Sequence, residues 1–144
     1  MDLPIRPQTG PASPLEPAQA RSIKHRLMDR VADTDTSHVT IPAAQDGWQP
    51  FAHGVQIKTL RVQGGVMSYL LRLDAGATLP PHRHPIDEEC VVLDGTLRVG
   101  TGVEIGPGGY HLAHRGALHA TISTPSGATL FLRGAVPHAS HVLA

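Results

Sequence analysis

The spacing of chain-breaking residues constrains this sequence more than any other property. From Pro42 onward Gly64-Gly65, Asp74-Ala75-Gly76, Asp94-Gly95, Pro107-Gly108-Gly109, Gly116 and Pro125-Ser126-Gly127 recur at short intervals. Each supplies a left-handed backbone position or a preset turn angle. With 15 Gly and 13 Pro in 144 residues, long helices are costly and a helical bundle is excluded as the main architecture. The segments between the turns alternate or are rich in branched apolar residues. Strands are therefore expected at Val55 to Val62, Val66 to Leu73, Glu89 to Leu93, Thr96 to Val99, Tyr110 to Ala113, His119 to Ser123 and Thr129 to Arg133. Gly64-Gly65 and Asp94-Gly95 read as hairpin turns. The cadence predicts an all-β fold, a small barrel or sandwich spanning residues 41–136.

The two ends read differently. Pro4, Pro7, Pro11, Pro14 and Pro17 mark residues 1–20 as an extended, poorly packed tail. Residues 21–40 then hold an amphipathic helix and a linker. Ser22 is placed to cap that helix, Ile23, Leu27 and Val31 recur at four-residue spacing, and Lys24, Arg26 and Arg30 flank them. Such a stripe packs on the protein's own sheet, on a second copy, or on a different protein. Residues 137–144, with His138 and His141, read as a C-terminal tail.

Charge and cysteine content narrow the class. Twelve Lys and Arg balance twelve Asp and Glu, so the basic footprint of a nucleic-acid binder is absent. A single cysteine, Cys90, forms no intrachain disulfide, and a reducing, cytoplasmic setting is the default. No apolar run approaches the roughly 18 residues a membrane span needs, and no signal-like segment opens the chain, so neither membrane nor export is expected.

Ten histidines are the unusual feature, because imidazole is the commonest protein ligand for transition metals. Their placement in Gly76-Ala-Thr-Leu-Pro-Pro-His82-Arg-His84-Pro-Ile-Asp-Glu88-Glu89-Cys-Val-Val-Leu-Asp-Gly95 is informative. Residues two apart in an extended chain share a face, so His82 and His84 can aim into one space. Glu88 or Glu89 can return a carboxylate to it, and His119 can bring a third imidazole. Three imidazoles and one carboxylate suit one divalent transition metal, zinc or iron first, with manganese, nickel or copper as alternatives. Magnesium and calcium prefer oxygen shells.

The order Gly76, five residues, His82-x-His84, three residues, Glu88, six residues, Gly95 resembles the first motif of the cupin superfamily. Gly108, five residues, His114-Arg-Gly116, two residues, His119 resembles the second, with His114 in place of the usual proline and Ser123 in place of the usual asparagine. The resemblance implies a jelly-roll β-barrel with a short N-terminal helix, and it carries the metal ligands onto His82, His84, Glu88 and His119. Glu89 lies one register step away and reads as a partner outside the ligand set. His111, His114 and Tyr110 are candidates to line the pocket or support a ligand, and Cys90 has the strand parity of Glu88.

Gly47-Trp48-Gln-Pro-Phe, Gly54-Val-Gln-Ile-Lys-Thr-Leu and the His82 to Gly95 segment are similar to the cupin domain of ChrR-type anti-sigma factors over roughly residues 41 to 135. The resemblance implies a regulatory, ligand- or oxidant-sensing module with a small-molecule effector, a homodimer, and a regulatory protein partner. The zinc-binding helical domain of those proteins is marked by a His and a Cys-x-x-Cys. Nothing before Ser22 shows that pattern, so direct gripping of a sigma factor is not expected. The cupin likeness also admits a metal-dependent dioxygenase acting on a small chelating substrate.

Overall fold

The computed structural model describes residue 14 and residues 16–138. Most of the expected Pro-rich tail, and His141 in the expected C-terminal tail, lie outside the described residues. The chain divides into two compact units, Met1–Pro42 and Ala43–Ala144.

The first unit holds α1 (Pro17–Ser37), longer than the expected Ser22 to Asp33. Pro17 occupies the first helical position, where its fixed φ suits a helix and its missing N–H costs nothing. The Gln19 side-chain oxygen accepts the Glu16 backbone N–H at 3.3 Å. Ser22 is therefore inside the helix and caps nothing. Ile23, Leu27, Met28 and Val31 are exposed. No helix among the described residues is long and apolar enough to cross a membrane.

The described residues of the second unit form twelve strands. A six-stranded sheet contains β1 (Trp48–Ala52), β2 (Val55–Gln63), β3 (Val66–Leu73), β12 (Ala128–Ala135), β6 (Glu88–Gly95) and β9 (Tyr110–Ala113), in that order. A four-stranded sheet orders β4 (Thr78–Leu79), β11 (Ile122–Ser123), β7 (Leu97–Val99) and β8 (Val103–Ile105). A third, two-stranded sheet pairs β10 (Leu118–His119) with β5 (His82–Arg83). The architecture is mostly β with one N-terminal helix, as expected, but the closed barrel is not: no sheet closes on itself, and the strands divide among three sheets.

Alternation builds the core. Met67, Tyr69, Leu71 and Leu73 of β3, Leu130 and Leu132 of β12, and Cys90 and Val92 of β6 are buried in one cluster. Leu79, Leu97 and Ile122 from the four-stranded sheet complete it, so the core lies between the two larger sheets.

Gly64 and Gly65 take φ values of 58° and 77° and join β2 to β3 as a hairpin. Asp94-Gly95, the second expected hairpin, is not one. β6 pairs with β12 and β9, whereas β7 pairs with β11 and β8, so Gly95 is where the chain leaves one sheet for another. The expected strand His119 to Ser123 likewise splits. Leu118–His119 belongs with β5 and Ile122–Ser123 with β4 and β7, an exchange between sheets that local alternation does not reveal.

Candidate metal centre

β5 and β10 are two residues long, yet they set the site. Their antiparallel register places His119 opposite His82, with ring centroids 5.2 Å apart and nearly parallel planes. His84, on the same side of the extended segment, lies with its ring 4.6 Å from His82 and 5.6 Å from His119. Glu88 opens β6 directly beneath. One potential ligand atom from each of His82, His84 and Glu88 falls within a 4.8 Å span. His84, Glu88 and His119 are buried.

The protonation pattern favours cation binding. His82 Nδ1 lies 2.8 Å from the Pro80 carbonyl and His119 Nδ1 lies 3.0 Å from the Ala120 carbonyl. A carbonyl only accepts, so each Nδ1 carries a proton, and in the neutral ring it is Nε2 that has the lone pair to offer a metal. His84 Nε2 is buried without a hydrogen-bond partner among the described residues, and its nearest carboxylate oxygen, on Glu88, is 3.4 Å away. Burial first, then the neighbouring His82 and His119, lowers the His84 pKa to about 4. Burial also lowers that of His119. A buried ring nitrogen left without a hydrogen-bond partner costs free energy, and a divalent cation bound to it would remove that cost. The His82, His84 and Glu88 cluster could coordinate such a metal, and this nitrogen-rich set suits a transition ion.

Glu88 is held from two sides. The Tyr69 hydroxyl donates to Glu88 Oε2 at 3.0 Å. Burial nevertheless raises the carboxyl pKa to about 7 against the opposing pull of that bond. The Tyr69 hydroxyl is itself pushed up, by burial and then by Glu88. On β12, Gly134 leaves the space Glu88 fills, because a Cβ there would sit 3.0 Å from Glu88 Cγ. Asp87 tethers the turn before β10 by accepting the Arg115 backbone N–H at 2.7 Å, a bond that lowers its pKa. The Gly116 N–H donates to the His84 carbonyl at 2.9 Å. These two bonds fix His119 against the His82 and His84 segment.

Of the four residues expected around the cluster, one lines the cavity beside it. His111 does, with its ring 5.2 Å from that of His119. Glu89 and Tyr110 face away from it: the Tyr110 hydroxyl donates to Glu89 Oε1 at 3.0 Å, on the exposed side of the sheet. His114 is exposed, 3.6 Å from Asp87. The buried tyrosine is Tyr69, whose inward parity between Met67 and Leu71 was the available signal. Gly134 and Asp87 carried no signal in their spacing. The cavity, about 60 Å³, is walled mainly by apolar side chains such as Leu71, Leu79, Ile122 and Leu132. Cys90 also lines it, its thiol pushed up to about 12 by burial and then by Glu88, which makes it a poor nucleophile. His138, expected in the tail, reaches the cavity wall with Val136 and Pro137.

The family model described as the ChrR cupin-like domain matches residues 36–136. No functionally curated protein matches the chain. Among solved structures, KdgF from a Halomonas species is 21% identical with a TM-score of 0.60, covering 69% of this chain and 96% of that one. An acetylacetone dioxygenase from Acinetobacter johnsonii is 18% identical with a TM-score of 0.62, covering 71% and 76%. The complex of Rhodobacter sphaeroides SigE with the anti-sigma ChrR matches at 20% identity and a TM-score of 0.57, covering 88% and 71%. At these identities the three likenesses establish the fold.

Proposed function

The chain belongs to the ChrR cupin-like domain family, and from that premise we propose that it is a metal-binding regulatory module that senses a small ligand or oxidant. The observation that carries this reading is the cluster of half-buried His82 with buried His84 and Glu88, which lies inside the matched region. His119 is the fourth ligand of the proposed set and zinc or iron its metal. The metal would supply a Lewis-acidic centre open to a small effector entering the apolar cavity. Around it the protein orients the imidazoles through Pro80 and Ala120 and holds the carboxylate through Tyr69. Ile23, Leu27 and Val31 of α1 are exposed at four-residue spacing and offer a stripe through which a protein partner reads the site's state. One solved structure of similar fold is the complex of SigE with the anti-sigma ChrR, which supports a protein partner of this kind.

The test is cross-linked capture from the native host with metal-loaded and metal-stripped protein, alongside Ile23→Glu/Leu27→Glu. A partner held in one metal state and lost in the variant is the expected result. Identical capture in both metal states would sink the regulatory reading. The apolar cavity beside the cluster favours a second reading, a metal-dependent dioxygenase acting on a small chelating compound. Oxygen uptake by the iron-loaded protein with a β-diketone would select it.

Proton competition at the site follows from the two shifted groups. Glu88 binds metal as the carboxylate, and its pKa of about 7 keeps it protonated in the metal-free site at lower pH. His84, lowered to about 4, is already neutral there. Below pH 7, Glu88 therefore costs about tenfold in affinity per pH unit, while His84 adds its own cost only near pH 4. Calorimetry at pH 6 in buffers of different ionisation enthalpy should show nearly one proton more released by the native chain than by Glu88→Gln. Tyr69→Phe removes a bond that favours the carboxylate, so the fall should begin at higher pH and affinity should drop about 10- to 100-fold. Equal proton release by the native and Glu88→Gln chains would remove Glu88 from the ligand set.

A further inference from the structure

The outer face of the six-stranded sheet carries a second polar constellation, separate from the metal centre. Arg61 of β2 and Arg133 of β12 both lie opposite Ser68 of β3. Ser68 sits between the inward Met67 and Tyr69, so the three side chains share the outward face. Adjacent strands are about 4.8 Å apart, and the two long guanidinium side chains thus flank one hydroxyl. They enclose a cleft of about 140 Å³ lined by Arg61, Gln63, Val66, Ser68 and Arg133.

The charges in the cleft are incompletely matched. Arg61 donates to the side-chain oxygen of Gln63, a neutral acceptor, and no carboxylate is seen to partner it among the described residues. Arg133 has Glu89 at 3.7 Å. That carboxylate also accepts the Tyr110 hydroxyl at 3.0 Å, on the side of Glu89 away from the cleft. Two cations therefore face a space with one carboxylate at its edge. Guanidinium groups recognise tetrahedral oxyanions with paired N–H donors, and Ser68 adds a hydroxyl donor at the floor. The volume exceeds that of one phosphate and leaves room for a small substituent.

We propose that this cleft binds a single phosphate-class oxyanion, as the free ion or as the phosphate of a small monoester. The site goes beyond the metal-sensing reading and does not depend on it. β6 and β12 nonetheless carry both: Glu89 and Arg133 lie on the cleft's side of the sheet, while their chain neighbours Glu88 and Gly134 meet on the side of the metal centre.

The test is titration of the full chain with inorganic phosphate, followed by amide NMR at constant ionic strength with chloride as the reference anion. Saturable shifts centred on Arg61, Ser68 and Arg133 are expected. Affinity should fall at least about tenfold in Arg61→Ala or Arg133→Ala and stay unchanged in Arg72→Ala, whose guanidinium stacks 4.0 Å from the Trp48 ring centre on the same sheet. Glycerol phosphate run in parallel identifies the source: tighter binding of the ester points to an organic phosphate, tighter binding of the ion to free phosphate. A response equal to that of chloride, or saturable binding retained in Arg61→Ala/Arg133→Ala, would overturn the proposal.

Discussion

A chain carrying His82→Ala and His119→Ala is expected to purify without a transition metal while keeping its sheets. A complete four-ligand zinc site is worth about 10 to 16 kcal/mol of binding free energy. Divided evenly, two ligands account for roughly 5 to 8 kcal/mol, a loss of about 10⁴- to 10⁶-fold in affinity. That is enough to empty the site at any ordinary metal concentration. The fold should survive because neither imidazole belongs to the apolar cluster formed by Tyr69, Leu97, Leu130 and their neighbours. His114→Ala is the matched control, since that ring is exposed and 3.6 Å from Asp87. Elemental analysis of both variants, purified from the native host beside the unaltered chain, settles the outcome. Metal retained at native stoichiometry in the double variant would remove His82 and His119 from the ligand set. Bound zinc in the unaltered chain would direct attention to sensing, and bound iron to oxygen chemistry.

Sequence reasoning reached the site more fully than the architecture around it, for identifiable physical reasons. His82, His84 and Glu88 lie within seven residues of one another, so a two-residue strand period and one turn are enough to bring them together. His119 is distant in sequence; the turn at Gly116 allowed its return as a third imidazole, and the motif that it resembles then singled it out. The contacts that hold the cluster are of another kind. Tyr69 and Gly134 meet Glu88 because β3, β12 and β6 are neighbours in one sheet, and sheet order is a long-range property that no local period encodes. Tyr110 has the same chemistry as Tyr69 but faces the opposite side of the sheet, where it bonds to Glu89. Strand limits followed the same logic. The β2 to β3 hairpin was legible because both strands and their Gly64-Gly65 turn are contiguous. The splitting of His119 to Ser123 was not, because its two halves answer to different partner strands.

Gly95→Ala is expected to be the most disruptive single-methyl change in the β unit. The position looks like an ordinary turn glycine, and its φ of 75° alone would cost an L-residue about 1 to 2 kcal/mol. The surroundings decide the larger part. A Cβ at Gly95 would lie 2.0 Å from the Gly127 carbonyl oxygen, 2.8 Å from Ala128 Cα and 2.9 Å from the Gly127 carbonyl carbon. All three are backbone atoms, so no side-chain rotation relieves the clash. Nor can β12 withdraw freely, because Ala128 is paired with Gly95 on one side and with Leu73 on the other. Relief requires separating β6 from β12 at the point where the chain crosses between sheets, and the expected cost is about 4 kcal/mol or more. Gly64→Ala isolates the backbone contribution, since φ there is 58° and nothing lies within 4 Å of its added methyl. Urea unfolding of the two variants should therefore differ by at least about 2 kcal/mol. Equal destabilisation would mean that Gly95 serves only its own dihedral angle. The larger loss would explain physically why a glycine belongs seven residues after Glu88: it lets β6 end against β12, and that pairing sets Glu88 beside Gly134 and beneath the imidazoles.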